Sequence, residues 1–330
     1  VRLSSVVAVL VVLFAMPSAP AAKTCADCHP EQASAWQGSR HARSAASPLY
    51  LAMRAWAADD AGEEVAARCA TCHTVPVAGG GRTAAVTCEA CHQAAVTGPG
   101  PGAVTVDPAG PVAGSKPGAG APHPVAVVPG MASGDRCLAC HGELANPHGV
   151  PLCTTGPEAA TRGLGPTCLD CHLRGGDHSA RGASPELLAR AVELDVDRRG
   201  DTVAVTLVNR GAGHSVPTGP ALRQVILHTR LVGADGREAS SHREVLARVL
   251  ADADGRSPAP PWRATAVVAD TRIEPSGRSV FVYPVPPGAV RVEARIVFWR
   301  APEPLLGRFG LAGDEAFAPV TMTRVVRDLR

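Results

Sequence analysis

A cysteine, two variable residues, a second cysteine and a histidine recur five times in this chain of 330 residues. The copies are Cys25-Cys28-His29, Cys69-Cys72-His73, Cys88-Cys91-His92, Cys137-Cys140-His141 and Cys168-Cys171-His172. They take ten of the eleven cysteines, whereas random placement of these residue types gives only about 0.01 matches per chain. The spacing is that of covalent haem attachment: two thiols form thioethers with the vinyl groups, and the following imidazole binds the iron. Zinc sites, disulfides and redox dithiols draw on the same residues, but none of them explains a histidine after every second cysteine. The expectation is five covalently attached haem c groups, with His29, His73, His92, His141 and His172 as proximal ligands.

The first residues point to export. Val1-Arg2 precedes an apolar run from Val6 to Ala15, followed by Pro17-Ser18-Ala19-Pro20-Ala21-Ala22. One positive charge, a short greasy core and small residues at the end read as a secretory signal over 1–22, cut after Ala21 or Ala22. A spanning helix needs about 20 apolar residues, so no transmembrane anchor is expected after cleavage. Haem of this type is attached outside the cytoplasm, and the expected location is the periplasm or the outer cell surface.

Composition then bounds the core. A formal net charge of +2 gives no case for nucleic acid or a membrane surface as partner. Aromatic residues are 3% of the chain, against 34 glycines and 30 prolines. Such a chain lacks the bulk for an ordinary core, and five porphyrins supply it. Without haem the first half is expected not to fold.

Two textures divide the chain, a haem-bearing region over 23–185 and an all-β region over 186–330. In the first, Pro30 to Ser44 and Pro48 to Ala67 read as helices, the second with Leu49, Met53, Trp56 and Val65 near helical spacing. Gly98 to Gly130 is so dense in Gly and Pro that a long wrapping loop without regular structure is expected. Ser184-Pro185-Glu186 offers an N-cap, a first-position proline and an acidic first turn for a short helix to about Ala191. Beyond Val192, alternation of period two marks strands at 202–208, 222–232, 265–268, 279–283, 290–298 and 320–326. About seven short strands imply an antiparallel sandwich, immunoglobulin-like in class but without the cysteine pair and buried Trp of antibody domains. The fold class is therefore mixed: a loop-rich, partly helical multihaem domain followed by an all-β antiparallel sandwich. The interval of 19 residues between His73 and His92 is the shortest between proximal histidines and implies two close haems.

Function turns on the sixth iron position, since an iron with two protein ligands carries electrons and an open one also binds substrate. Seven further histidines are available. His41 follows the first motif, His178 sits in Gly175-Gly176-Asp177-His178, and His214 lies in a glycine-framed loop between strands, suited to reach another domain. With His123 and His148 these make five candidate distal ligands. His228 reads as a solvent-facing strand residue and His242 as part of a polar connection. Met53 reads as helix packing, Met131 as the end of a loop, and Cys153 as a small residue or free thiol.

The segment from His29 through Trp36-Gln37-Gly38-Ser39-Arg40-His41 resembles the opening of cytochromes in the hydroxylamine-oxidoreductase and nitrifier tetrahaem superfamily. Val86-Thr87-Cys88-Glu89-Ala90-Cys91-His92 is similar to a later haem site of that group. The resemblance implies that Trp-x-x-Ser-x-His supplies an axial histidine to a different haem, so that His41 serves an iron other than that of His29. His172, Asp177-His178 and Gly211-Ala212-Gly213-His214-Ser215-Val216-Pro217-Thr218-Gly219 resemble multihaem cytochromes of anaerobically respiring and metal-reducing bacteria. The likeness covers roughly 23–232. Five haems and an appended β domain depart from the tetrahaem members, and with only Tyr50 and Tyr283 there is no counterpart of the cross-linking tyrosine of hydroxylamine oxidation.

The reading is an exported pentahaem electron-transfer cytochrome of anaerobic respiration, with mostly bis-histidine irons and no catalytic residue. Its expected partners are redox proteins, other multihaem cytochromes among them. Two rivals share the motifs: a reductase of a nitrogen or sulfur oxyanion with one open haem, and a haem-bearing subunit of a larger electron conduit. His214 is expected to reach from the sandwich to a haem attached near the domain boundary.

Overall fold

Alternating apolar residues organise everything after residue 191. The computed structural model describes residues 23–98, 100, 102–161 and 167–329; the expected signal segment, 1–22, lies outside the described residues. Among these, β1 (Val192–Arg199), β2 (Thr202–Asn209), β3 (Gln224–Gly233), β4 (Glu238–Leu246), β5 (Arg248–Ala251), β6 (Ala266–Asp270), β7 (Arg278–Pro284), β8 (Ala289–Trp299) and β9 (Val320–Asp328) follow in chain order. They form an antiparallel four-stranded sheet ordered β4-β3-β8-β9, a three-stranded sheet ordered β7-β2-β1, and the pair β5-β6.

The two larger sheets share one core. Val196, Val203, Val205 and Leu207 from the smaller sheet meet Val225, Leu227, Leu231, Val292 and Ile296 from the larger, all nearly inaccessible. Burying such side chains stabilises by roughly 1.5–3 kcal/mol each, so this half builds its core from protein alone.

The cysteine-bearing half differs in kind. Its apolar cluster is Val75, Ala90, Ala94, Val104, Val106 and Ala139, small aliphatics without a large side chain. The first expected helix is shorter than its propensity suggests: α1 spans Pro30–Gln37, and turns carry the chain on to His41 and Ser44. The second is split. α2 spans Pro48–Ala61, and Gly62, at φ 92°, ends it before a separate turn at Glu63–Ala67. The Gly/Pro-rich stretch is not devoid of regular structure, because Val104–Val106, Val112–Gly114 and Val125–Val127 form three-residue strands. Valine-containing triplets pair there between the punctuating residues.

Two short helices join the halves. α3 (Thr155–Ala160) carries Glu158 towards the strands. α4 (Pro185–Ala191) is capped by Ser184, whose hydroxyl accepts from Leu187 N at 3.3 Å, and its Leu188 and Ala191 enter the β core. Further along, Asn146 Nδ2 donates to the carbonyls of Pro261 at 2.9 Å and Ala264 at 2.7 Å. Trp262 Nε1 and Arg263 Nε both donate to Asp60, at 2.6 and 2.9 Å. Among the described residues no helix is long and apolar enough to cross a membrane.

Candidate haem sites

Each attachment motif lies on a short helical turn, or on the turn leading into one, and two of them are locked by their own sequence. Thr24 and Asp27 form a capping box around Cys25–Cys28, with Thr24 N and Oγ1 both donating to Asp27 Oδ2 at 2.6 and 2.8 Å. Thr167 and Asp170 repeat it before Cys168, at 2.5 and 3.0 Å. A helical turn brings residues i and i+3 to one face, which presents both sulfurs of a motif to one ligand.

The motif histidines are also oriented. Nδ1 lies against a backbone carbonyl in His73 (Ser44 O, 2.5 Å), His92 (Ala113 O, 2.8 Å) and His172 (Arg181 O, 2.5 Å). The same holds for His178 (Gly176 O, 2.7 Å) and His214 (Ser215 O, 3.0 Å). A carbonyl can only accept, so Nδ1 carries the proton and Nε2 keeps its lone pair for a metal.

Three histidine pairs face each other at nearly one separation. Ring centroids are 6.2 Å apart for His41 and His141, 6.1 Å for His92 and His178, and 6.3 Å for His172 and His214. An iron–imidazole bond of about 2.0 Å plus about 1.1 Å from nitrogen to ring centre, doubled, gives roughly 6.2 Å. The pairs are therefore spaced as two axial imidazoles on one iron. Direct ring stacking is much closer, as in Tyr50 on His73 at 4.1 Å. Burial pushes the pKa of His41, His73, His92 and His214 down. For His141, burial followed by the nearby charges of His41, Arg223 and His172 takes it down to about 4. Each of these rings is thereby held neutral at pH 7, the form that binds iron.

Paired thiols, imidazoles with free Nε2 atoms and facing rings at this separation fit haem c. Zinc fits poorly: among the described residues no three His, Cys, Asp or Glu side chains converge on a metal-sized point. A cavity of about 390 Å³ beside Cys171 and His172 is rimmed by Arg174, Arg181 and Arg190.

The sites also touch one another. The pKa of the Cys137 thiol is raised by the neighbouring Cys168, and that of the Cys88 thiol by burial and then by Cys25. Cys72 and Cys91, from the motifs closest in sequence, both feel the sulfur of Cys140. The fourth motif thus lies between the second, third and fifth.

The segment from Trp36 to Ser44 works residue by residue. Trp36 Nε1 donates to Val86 O at 2.9 Å, tying α1 to the approach to Cys88. Buried Ser39 accepts from Ala42 N at 3.2 Å, shaping the turn that presents His41. Ser44 Oγ donates to His73 O at 2.7 Å and accepts from Val86 N at 3.0 Å.

His214 depends on a residue that its own sequence neighbourhood does not reveal. Glu158 on α3 is 9% exposed and accepts four hydrogen bonds. Ser215 N (3.1 Å) and Thr218 Oγ1 (2.6 Å) reach one oxygen, Thr154 Oγ1 (2.6 Å) and Arg272 Nη1 (2.6 Å) the other. Burial opposes ionisation of Glu158, but these donors outweigh it and hold its pKa below the usual value. Arg272 also binds Asp270 at 2.8 Å, and Asp270 binds Arg248 at 3.0 Å. No local pattern announces this network, since its members meet only through the tertiary fold.

Other expected ligands stand apart. His123 is half-buried with Nδ1 3.4 Å from Pro124 O, and His148 is exposed in a turn. Among the described residues neither faces another histidine, and neither His29 nor His73 has an imidazole partner. His242 is not in a polar connection but on strand β4, stacked 4.1 Å from Tyr283, with Nε2 lacking a hydrogen-bond partner. Glu238–Leu246 hides as a strand because an edge strand with few apolar residues shows little alternation. His228 on β3 is half-buried. Cys153 Sγ lies 3.4 Å from Thr155 Oγ1.

Comparison with known proteins agrees with this chemistry. The family described as cytochrome c554 and c-prime matches residues 24–93. A penta-haem cytochrome c552 from Thermochromatium tepidum shares the fold with a TM-score of 0.75 at 24% identity, covering 92% of this chain and 97% of that one. An endonuclease/exonuclease/phosphatase from Beutenbergia cavernae aligns over 42% of this chain and 24% of its own, at 13% identity and a TM-score of 0.19, too low to carry an argument. No curated protein matches. Motifs, local family match and fold together support a multihaem c-type cytochrome.

Proposed function

We propose that this chain is an exported pentahaem electron carrier of anaerobic respiration in which three irons are each held between two imidazoles. The pairs are His41 with His141, His92 with His178, and His172 with His214. The observation that carries this reading is their common separation of 6.1–6.3 Å. Bound haem supplies one-electron chemistry, at low potential with two imidazole ligands. The chain's residues do the rest: carbonyls fix the Nδ1 tautomers of His92, His172, His178 and His214, burial keeps His41, His92, His141 and His214 neutral, and adjoining cysteines hold the sites at short range. Its donor and acceptor are redox proteins, with other multihaem cytochromes the proposed class.

The division into 23–185 and 186–330 follows the same reading. Strand order β7-β2-β1 facing β4-β3-β8-β9 supports an immunoglobulin-like sandwich for the second part, with β5-β6 as an addition. That part contributes His214 to a haem attached in the first.

A second reading has its own observation. His73 has Tyr50 stacked on its ring but no imidazole facing it among the described residues. An open sixth position there would permit reduction of a small nitrogen or sulfur oxyanion. His123 and His148 are the proposed sixth ligands for the His29 and His73 irons if both are closed.

Intact-mass spectrometry after acid and organic extraction tests the cofactor load. The expected mass retains five haems on the chain; zinc or disulfide-linked apoprotein would end the proposal. Carbon monoxide added to the reduced protein then separates the two readings, since binding requires an open iron.

A further inference from the structure

Strand register places four basic side chains in a single line across the larger sheet. Arg243 on β4 lies opposite His228 on β3, His228 opposite Arg295 on β8, and Arg295 opposite Arg324 on β9. Their sequence neighbours Leu227, Thr229, Ala294 and Ile296 are buried, so alternation turns the line outward. The three arginines are exposed and His228 is half-buried. Neighbouring strands lie about 4.8 Å apart, which gives the line a length of roughly 14 Å.

Like charges directly opposite each other on a sheet face are destabilising. The adjacent row shows the ordinary remedy. There Ser241, Arg230, Glu293 and Val326 lie opposite one another. Arg230 pairs with Glu238 at 2.8 Å and with Glu293 at 3.4 Å, and Arg291 reaches Glu293 at 2.9 Å. Arg243, Arg295 and Arg324 have no such partner among the described residues. Burial, and then the charges of Arg295 and Arg243, hold the pKa of His228 below its usual value. The line therefore carries three positive charges and one neutral imidazole at pH 7. An uncompensated row kept beside a compensated one, at a cost in stability, marks a surface that meets an anion.

The surroundings identify the kind of anion. Glu238 and Glu293 beside the line repel a uniform polyanion such as nucleic acid or a lipid surface, and a net charge of +2 supplies no wider field. Val326, next to Glu293 and 59% exposed, offers an apolar contact. A short charged line with counter-charges and an apolar group beside it has the mixed character of a protein interface. We propose that the outer face of the sheet β4-β3-β8-β9 docks an acidic patch of a folded redox protein, whose carboxylates pair with Arg243, Arg295 and Arg324. A planar guanidinium suits this role, because it pairs with a carboxylate through two parallel hydrogen bonds. That the partner is a redox protein rests on the carrier role proposed above; that it is acidic rests on the register alone.

The test is a calorimetric titration of the oxidised holoprotein with a small acidic plant-type ferredoxin, also oxidised. Binding is expected at low ionic strength and weakens as salt is added. Arg295→Gln and Arg324→Gln are each expected to weaken it about fivefold, the worth of one exposed ion pair. Arg256→Gln, which removes the same charge from the loop between β5 and β6, leaves it unchanged. Arg295→Gln also relieves the repulsion with Arg324, so the free variant melts no lower than wild type; a lower melting temperature overturns the premise of an uncompensated row. No binding at low ionic strength, or an equal loss in Arg256→Gln, overturns the proposal. So does heparin binding that falls in the two row variants while ferredoxin binding does not, which assigns the row to a linear polyanion. Failure of the carrier role shows differently: ferredoxin would still bind through the row, supporting the docking face, but reduced ferredoxin would pass no electrons to the haems.

Discussion

His172 and His214 face each other with ring centroids 6.3 Å apart and planes inclined by only 17°, although one follows a cysteine motif and the other lies in a loop between β2 and β3. Neither ring stacks on the other at this separation. The separation matches that of two axial imidazoles on one iron, which is the ligation proposed for this pair.

Replacing His214 by Ala removes one of these rings without touching an attachment cysteine. One haem is expected to turn from low to high spin and to bind carbon monoxide when reduced. A low-spin spectrum identical to wild type would mean that His214 serves another purpose, such as a hydrogen bond to a propionate.

Glu158 fixes the loop that carries His214, so its charge state enters stability. Its pKa is lowered in the folded chain, so its contribution is fully present above the ordinary carboxylate value near 4.5 and is lost as pH falls through the lower folded value. Glu158→Gln leaves Arg272 without one of its two carboxylates and should cost about 3 kcal/mol at pH 7. Denaturant unfolding of holoprotein and variant between pH 7 and the acid limit checks this. The difference between the two is expected to shrink towards acid, and a constant difference would contradict the linkage.

Gly211 sets the base of the same loop. A Cβ there would lie 1.8 Å from the carbonyl oxygen of Arg190, at the end of α4, and backbone cannot yield as a flexible side chain can. Gly211→Ala should therefore lower the melting temperature and raise the high-spin fraction together. Gly236→Ala, whose Cβ would meet nothing within 4 Å although its φ is 77°, should lower only the melting temperature.

Much of this was legible in sequence, for physical reasons that differ by region. Attachment motifs are local, so spacing alone identifies Cys25 through His172. Six of the strands after Val192 are legible because one face is buried and the other is not, whereas Val192–Arg199 and the four-residue Arg248–Ala251 were not foreseen. Glu238–Leu246 escapes that logic as an edge strand, and the helix expected to Ala67 breaks at Gly62, where φ of 92° favours glycine. Pairing of histidines is a long-range property. Nothing near His41 specifies His141, and nothing near His178 specifies His92. Glu158 was silent for the same reason, being an ordinary surface-type residue until the fold assembles its neighbours.

The most direct measurement is a spin count of the purified, fully oxidised holoprotein by electron paramagnetic resonance, with near-infrared magnetic circular dichroism to identify the axial ligands. The account predicts at least three low-spin irons with bis-imidazole charge-transfer bands. It also predicts that His41→Ala, His178→Ala and His214→Ala each remove one of them independently. Fewer than three bis-imidazole irons in the wild type, or a spectrum that none of these substitutions changes, would contradict it.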